Sequence, residues 1–306
     1  MREHARRGIP AGLNIALAIA VVATNGVLLW TASHASAWWG LVLAACGFSF
    51  TNNTVYSLLH EAVHRKFHPR AAVNEWAGRF LAASFPTGFT FHRMCHLGHH
   101  RRNRTEVERF DYYTADDNRL LKFAQWYGIL TGLYWFIPPL GCLLILIIPR
   151  RLLLAIFNSR GSTQAEHVGA EAMLEGLADA PIGRLRMEML LSAAIQATAW
   201  IALDLNFTGW IACYAAFAVN WSALQYADHA WSELDVRDGA WNLRVNPTIQ
   251  YIFLNYHHHR AHHQHPEVPW IHLGQYVDFS EPRPSFLRIY LSMWRGPRPL
   301  PEGERP

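Results

Sequence analysis

Residues 8–64 read GIPAGLNIALAIAVVATNGVLLWTASHASAWWGLVLAACGFSFTNNTVYSLLHEAVH, and this one stretch decides the fold. Between Arg7 and His60 its only ionisable side chain of acidic or basic type is His34. About 20 apolar residues in a helix cross the hydrocarbon core of a bilayer. The run is therefore long enough for two membrane spans, expected at 11–32 and 38–59 and joined by the short segment Ser33–Ala37. The first apolar run is too long for a cleavable signal peptide and leads straight into the second. The stretch ends on His60-Glu61-Ala62-Val63-His64. Two imidazoles four residues apart share one helix face, about 5–6 Å apart at Cβ, close enough to converge on a metal.

The pattern recurs in His96-Leu97-Gly98-His99-His100 and in His259-Arg260-Ala261-His262-His263. Eight imidazoles in three boxes exceed the four ligands that zinc usually takes. Nitrogen donors suit iron, copper, nickel or zinc, so the boxes read as a site for two metals, taken here as iron. A chain with 18 histidines produces one cluster by chance, but hardly three with shared internal spacing. His92, four residues before His96, offers a competing register, but only His96, His99 and His100 match the third box. Around that box His257, His258 and His265 are left over as hydrogen-bonding support, which metal-bound histidines usually need.

Of the 306 residues, 51% are hydrophobic and 16% charged, against about 25% charged in soluble domains. The net charge of +4 does not point to nucleic acid, because the cations sit where a membrane protein puts them. Arg2, Arg6 and Arg7 precede the first span, Arg65, Lys66 and Arg70 follow the second, and Arg101, Arg102 and Arg104 follow the second box. The positive-inside rule places the N-terminus and the first two boxes on the cytoplasmic side. Cys46, Cys95, Cys142 and Cys213 are scattered and imply no disulfide framework.

Residues 71–91, broken by Pro86 and Gly88, suggest an interfacial helix. A second apolar pair lies at 187–203 and 207–226, with Asp204 and Asn206 at its turn. If all boxes face one side, an even number of crossings must separate the second from the third. Residues 123–148 would make that number odd, so they read as a re-entrant or interfacial hairpin broken at Pro138-Pro139. Residues 150–186 then form a cytoplasmic amphipathic connector, and the tail after Asp278 lies along the membrane surface. The expectation is a single all-α membrane domain over 1–306, with four transmembrane helices in two hairpins and a cytoplasmic cap carrying the boxes. At the end of the last span, Asp228-His229 is a functional candidate or a solvated interfacial pair. The aromatic stretches Phe110–Tyr113 and Trp126–Trp135 read as an interfacial belt rather than a substrate mouth.

The ordered boxes between apolar hairpins resemble the integral-membrane fatty acid desaturase and hydroxylase superfamily. The third sharpens the likeness, as Asn255-x-x-x-His259-x-x-His262-His263-x-x-Pro266 followed by Val268-Pro269-Trp270. The resemblance implies a di-iron centre held by histidine, O₂ as co-substrate and a fatty acyl or other lipid substrate in a multi-pass protein of a bacterial inner membrane. It also raises His229 to a ligand, four residues after Gln225, where the superfamily usually has asparagine. Nine ligands result: His60, His64, His96, His99, His100, His229, His259, His262 and His263, with Gln225, Asp228 and Asn255 bracing them. The chain carries no flavin, haem or iron–sulfur motif, so a ferredoxin- or rubredoxin-like donor and its reductase are expected partners. Desaturation is the expected reaction, with hydroxylation or oxidative decarboxylation of a free acid to a terminal alkene as alternatives. Two further readings compete. A membrane zinc protease would use Glu61 of H-E-x-x-H as base but leave two boxes unexplained. A metal transporter would place its ligands mid-membrane, whereas these boxes lie at span ends.

Overall fold

The computed structural model describes residues 8–152 and 180–301. The described residues are all-α apart from one pair of two-residue strands. Helices α1 (Ala11–His34) and α2 (Trp38–Val63) form the first hairpin, followed by α3 (Ala71–Ala83) and α4 (Phe89–Arg102). Next come α5 (Arg119–Leu130), a 3₁₀ turn at Leu133–Phe136 and α6 (Ile137–Ile147). The second hairpin is α7 (Ile182–Ala202) and α8 (Phe207–Ala227), and three short helices follow: α9 (Pro247–Ile252), α10 (His259–Gln264) and α11 (Phe286–Met293). Residues 153–179, most of the expected connector, lie outside the described residues.

Polar contacts fix how the long helices run. At one end the Asn206 backbone N–H donates to Ser33 Oγ (3.2 Å), and Gly209 lies so close that an added Cβ would meet Ser33 N at 2.5 Å. At the other end the Asn14 amide donates to Phe67 O (2.9 Å), and Trp270 Nε1 donates to Asn14 Oδ1 (3.0 Å). The start of α1 and the end of α2 thus share one end of the bundle with the segment after the third box. Helix α8 starts at the Ser33 end and runs back, packing on α2 through Phe48–Tyr214 (ring centroids 5.1 Å) and Asn220 Nδ2–Ser49 Oγ (2.8 Å).

Among the described residues α1 is the one single helix long and apolar enough to cross a membrane by length and composition. Four apolar spans are therefore not what composition yields. The reason is internal polarity: α2 carries Ser49, Thr51, Asn52, Asn53 and Thr54. These groups are spent inside, as Asn25 Nδ2 donates to Asn52 Oδ1 (2.9 Å) and Thr54 Oγ1 to Ile252 O (2.7 Å). In α7, Arg184, Arg186 and Glu188 lower the apolar character. Glu188 is buried because it closes the start of α4, accepting from Thr90 N (2.6 Å), Thr90 Oγ1 (3.0 Å) and Arg79 Nε (3.0 Å).

The 119–147 segment is long and apolar enough to cross only if its two helices, bent by 88°, are taken together. Its break lies at Thr131–Gly132, not at Pro138-Pro139. Gly132 has φ +85°, and a Cβ there would meet Val219 N at 2.7 Å. The prolines occupy the first turn of α6, where a missing N–H costs no helix hydrogen bond. The expected aromatic belt is also corrected. Trp126 and Trp135 are buried, and Trp126 Nε1 donates to Met293 O (2.7 Å). The tail accordingly packs onto the molecule: β2 (Arg298–Pro299) pairs in parallel with β1 (Tyr112–Tyr113).

Candidate metal centre

All three boxes and His229 meet at the Asn14 end of the bundle. The last turn of α2 supplies His60 and its C-cap residue is His64, α4 supplies His96, His99 and His100, and α10 supplies His259, His262 and His263. His229 follows α8 by two residues. The nine divide into two groups, each with ligand atoms within 4.8 Å of one another. The first is His60, His64, His96, His100 and His262; the second is His99, His229, His259 and His263. The groups adjoin, with the His100 and His263 rings 4.3 Å apart.

These residues fit a metal. In the first group Nε2 of His96 lies 2.8 Å from that of His64, and Nε2 of His100 lies 3.0 Å from those of His96 and His262. Ligands about 2.1 Å from a shared ion, at right angles, stand about 3 Å apart. Neutral imidazoles carry one N–H each and cannot satisfy such a knot among themselves. Elsewhere the ring nitrogens His60 Nε2, His229 Nε2, His259 Nδ1 and His263 Nε2 are buried without a hydrogen bond, as donors to a cation would be. Burial first, and then repulsion from neighbouring imidazoles, holds His96, His229, His259, His262 and His263 well below the usual histidine range. The same causes bring His100 down to about 2. Metal ligation requires that neutral form.

Two contacts set ring tautomers. His229 Nδ1–H donates to Gly239 O (2.9 Å), leaving Nε2 for the second group. His99 Nδ1 lies 2.5 Å from Glu108 Oε2, and Glu108 also pairs with Arg102 (3.3 Å). The loop that carries Glu108 is locked to the end of α8 by a buried knot. Arg104 Nη1 (2.7 Å) and Tyr226 OH (2.9 Å) donate to Asp111 Oδ1, and Trp231 N donates to Oδ2 (2.6 Å). Neither Glu108 nor the Gly239 carbonyl was expected from the sequence. A carboxylate nine residues past a histidine follows no helical or strand spacing, and a carbonyl leaves no trace in the sequence.

The residues expected to brace the ligands are Gln225, Asn255 and Asp228. Gln225 Oε1 accepts from Tyr56 OH (3.1 Å) and Tyr256 OH (2.9 Å). It therefore acts through Tyr256, whose ring lies 5.3 Å from His60 and 5.0 Å from His259. Asn255 bonds Gln250 and Trp270 O, shaping the turn before α10. Asp228 is buried with neither carboxylate oxygen hydrogen-bonded, and burial pushes its carboxyl well above the usual range. His257 stacks on Phe253, His258 bonds Gln250 and His265 lies against Tyr276, so these three support the chain around the box. His92 packs against Phe85 and Tyr56, outside both groups. Glu61 Oε2 accepts from Trp270 N (3.2 Å), tying the first box to the segment after the third.

The family model for fatty acid desaturase matches residues 33–295, and so takes in every residue of both groups. The chain belongs to the fatty acid desaturase family. Membership makes it an oxidoreductase of the kind that oxidises fatty acyl chains, in a family whose metal sites are di-iron. The two buried histidine groups are of the kind such sites need. No curated protein matches the chain.

Proposed function

We propose that this desaturase-family chain is a multi-pass membrane enzyme that uses two iron ions and O₂ to desaturate a fatty acyl chain. The observation that carries this reading is the pair of adjoining all-nitrogen groups. His60, His64, His96, His100 and His262 would hold one ion, and His99, His229, His259 and His263 the other. The bound metals, with O₂, supply the oxidising power that acid–base side chains lack toward an unactivated C–H bond.

The protein's part is to hold and orient. Glu108 and the Gly239 carbonyl aim His99 and His229, and burial keeps His229, His259, His262 and His263 neutral. Phe85, Trp135, Trp221 and His92 form an apolar layer beside Tyr56, which suits positioning of an alkyl chain. The four-span reading assigns α1, α2, α7 and α8 to the membrane, with the N-terminus and boxes in the cytoplasm; the Arg65–Arg70 cations support it. Electrons come from an external one-electron carrier of ferredoxin or rubredoxin type with its reductase.

The test is metal content with product analysis, using reductant, O₂ and a panel of acyl chains. Two irons per chain and a product lighter by two hydrogens are expected. A product heavier by one oxygen would make the enzyme a hydroxylase, and a terminal alkene one carbon shorter a decarboxylase. Zinc alone without an O₂-dependent product would overturn the proposal. His99→Ala and His262→Ala each take one ligand from one group, and each should abolish turnover while the protein stays inserted. Activity with iron retained in both variants would sink the ligand assignment.

A further inference from the structure

The outer face where α1 meets α3 carries an apolar groove of about 410 Å³. Ile15 and Ile19 form one wall, Ala72, Val73 and Trp76 the other, and Phe67 the floor. That volume lies within the usual range for sites that bury a small ligand. Three cations adjoin the groove through the chain: Arg65 and Lys66 lead into its floor, and Arg70 leads into its α3 wall. Among the described residues Arg65 and Arg70 form no ion pair with a carboxylate, while the Lys66 ammonium also acts on the buried Glu61 carboxyl. Nearby Arg79 and Arg93 are neutralised by Glu75 and Glu188. Arg70 is itself the N-cap residue of α3, and no side chain caps that helix start. Trp76, 54% exposed, stands on the rim, where an amphipathic ring suits the headgroup level.

We propose that this groove binds one anionic phospholipid, its acyl chain along Ile15, Ile19 and Trp76 and its phosphate on Arg65, Lys66 and Arg70. An acidic carrier protein could answer the charge, but the apolar trough beside the cations favours a ligand with a chain. The inference rests on reading the protein as membrane-embedded with these cations at the cytoplasmic surface, the leaflet that holds anionic lipid. Its consequence for the site follows from position. Arg65, at φ +61°, follows the ligand His64 directly, so a lipid on this turn steadies the end of α2.

The experiment is native mass spectrometry of the full chain released from bilayers of mixed phosphatidylglycerol and phosphatidylcholine, with alkaline carbonate extraction run alongside. Wild type should stay inserted and retain one phosphatidylglycerol in preference to phosphatidylcholine. Each cation contributes about a fivefold preference, so a variant combining R65Q, K66Q and R70Q should lose about a hundredfold. Ala72→Trp, at an exposed position that fills the groove, should lose the lipid with all three cations intact. Iron content in both variants reports that the fold survives. Inserted wild type without the preference, or the triple variant with it, would overturn the proposal alone. Displacement of the lipid by inorganic phosphate would also overturn it, by making this a phosphate site. So would a triple variant that loses only binding of an acidic carrier. Extraction of wild type by carbonate would bring down the membrane reading and the lipid site together.

Discussion

Glu108 reaches back to His99 with its Oε2 2.5 Å from Nδ1, and the geometry makes His99 a stronger donor through its other nitrogen. Glu108→Ala should therefore weaken metal binding at the second group by about 10–100-fold, read by competition with a chelator. Retention as tight as wild type would remove Glu108 from that role. At this scale the boxed histidines were legible because helical spacing alone puts them on one face. His229 needed the family likeness, and Glu108 was hidden because loop geometry brings it in. His92 yields a pH prediction. Burial lowers it to about 3, while the unfolded chain protonates near the ordinary histidine value of 6.5. Below about pH 6.5 the unfolded state holds the extra proton, so the stability owed to neutral His92 is complete above that pH and drains away as pH falls. The loss is about 2 kcal/mol at about pH 5. His92→Gln should narrow the difference in Tm between about pH 7.5 and about pH 5 in metal-depleted protein. An unchanged difference would contradict a histidine kept neutral by burial.

Elements were placed well by apolar length and less well by their breaks. The expected spans 11–32 and 207–226 became helices at Ala11–His34 and Phe207–Ala227. The bend in 119–147 fell on Gly132 because a left-handed residue pressed against the α8 backbone turns a chain more sharply than prolines in a first turn. The amides and hydroxyls of α2 misled in the other sense, since hydropathy counts them as polar although they pair inside the bundle. The α3–α4 junction provides a test. An added Cβ at Gly78 would lie 2.4 Å from the Phe89 ring, which is fully buried. Gly78→Ala should cost about 1–3 kcal/mol by overpacking, seen as a lower Tm. It should also lower iron content, because α4 carries His96, His99 and His100. An unchanged Tm would show that the junction has slack.

For the whole molecule, the contacts at its two ends predict sidedness. Single cysteines at Ala35 and Arg70, in a cysteine-free background, should react oppositely to an impermeant maleimide on intact cells. Ala35→Cys should label from outside and Arg70→Cys only after permeabilisation. Labelling of both from one side would overturn the four-span reading. The ligand groups also differ in when they can exist. Four of the five histidines of the first group lie at or before His100, whereas three of the four in the second lie at or after His229. His100 and His262 are 162 residues apart, a delay of about ten seconds or more at a ribosome's pace of about 5–20 residues per second. Four ligands of the first group are thus synthesised while most of the second is still to be made, and both groups are completed only by the segment that carries His259, His262 and His263. Under the di-iron proposal, a metal ion that met the emerging chain would find four of the first group's ligands before the second group had more than His99.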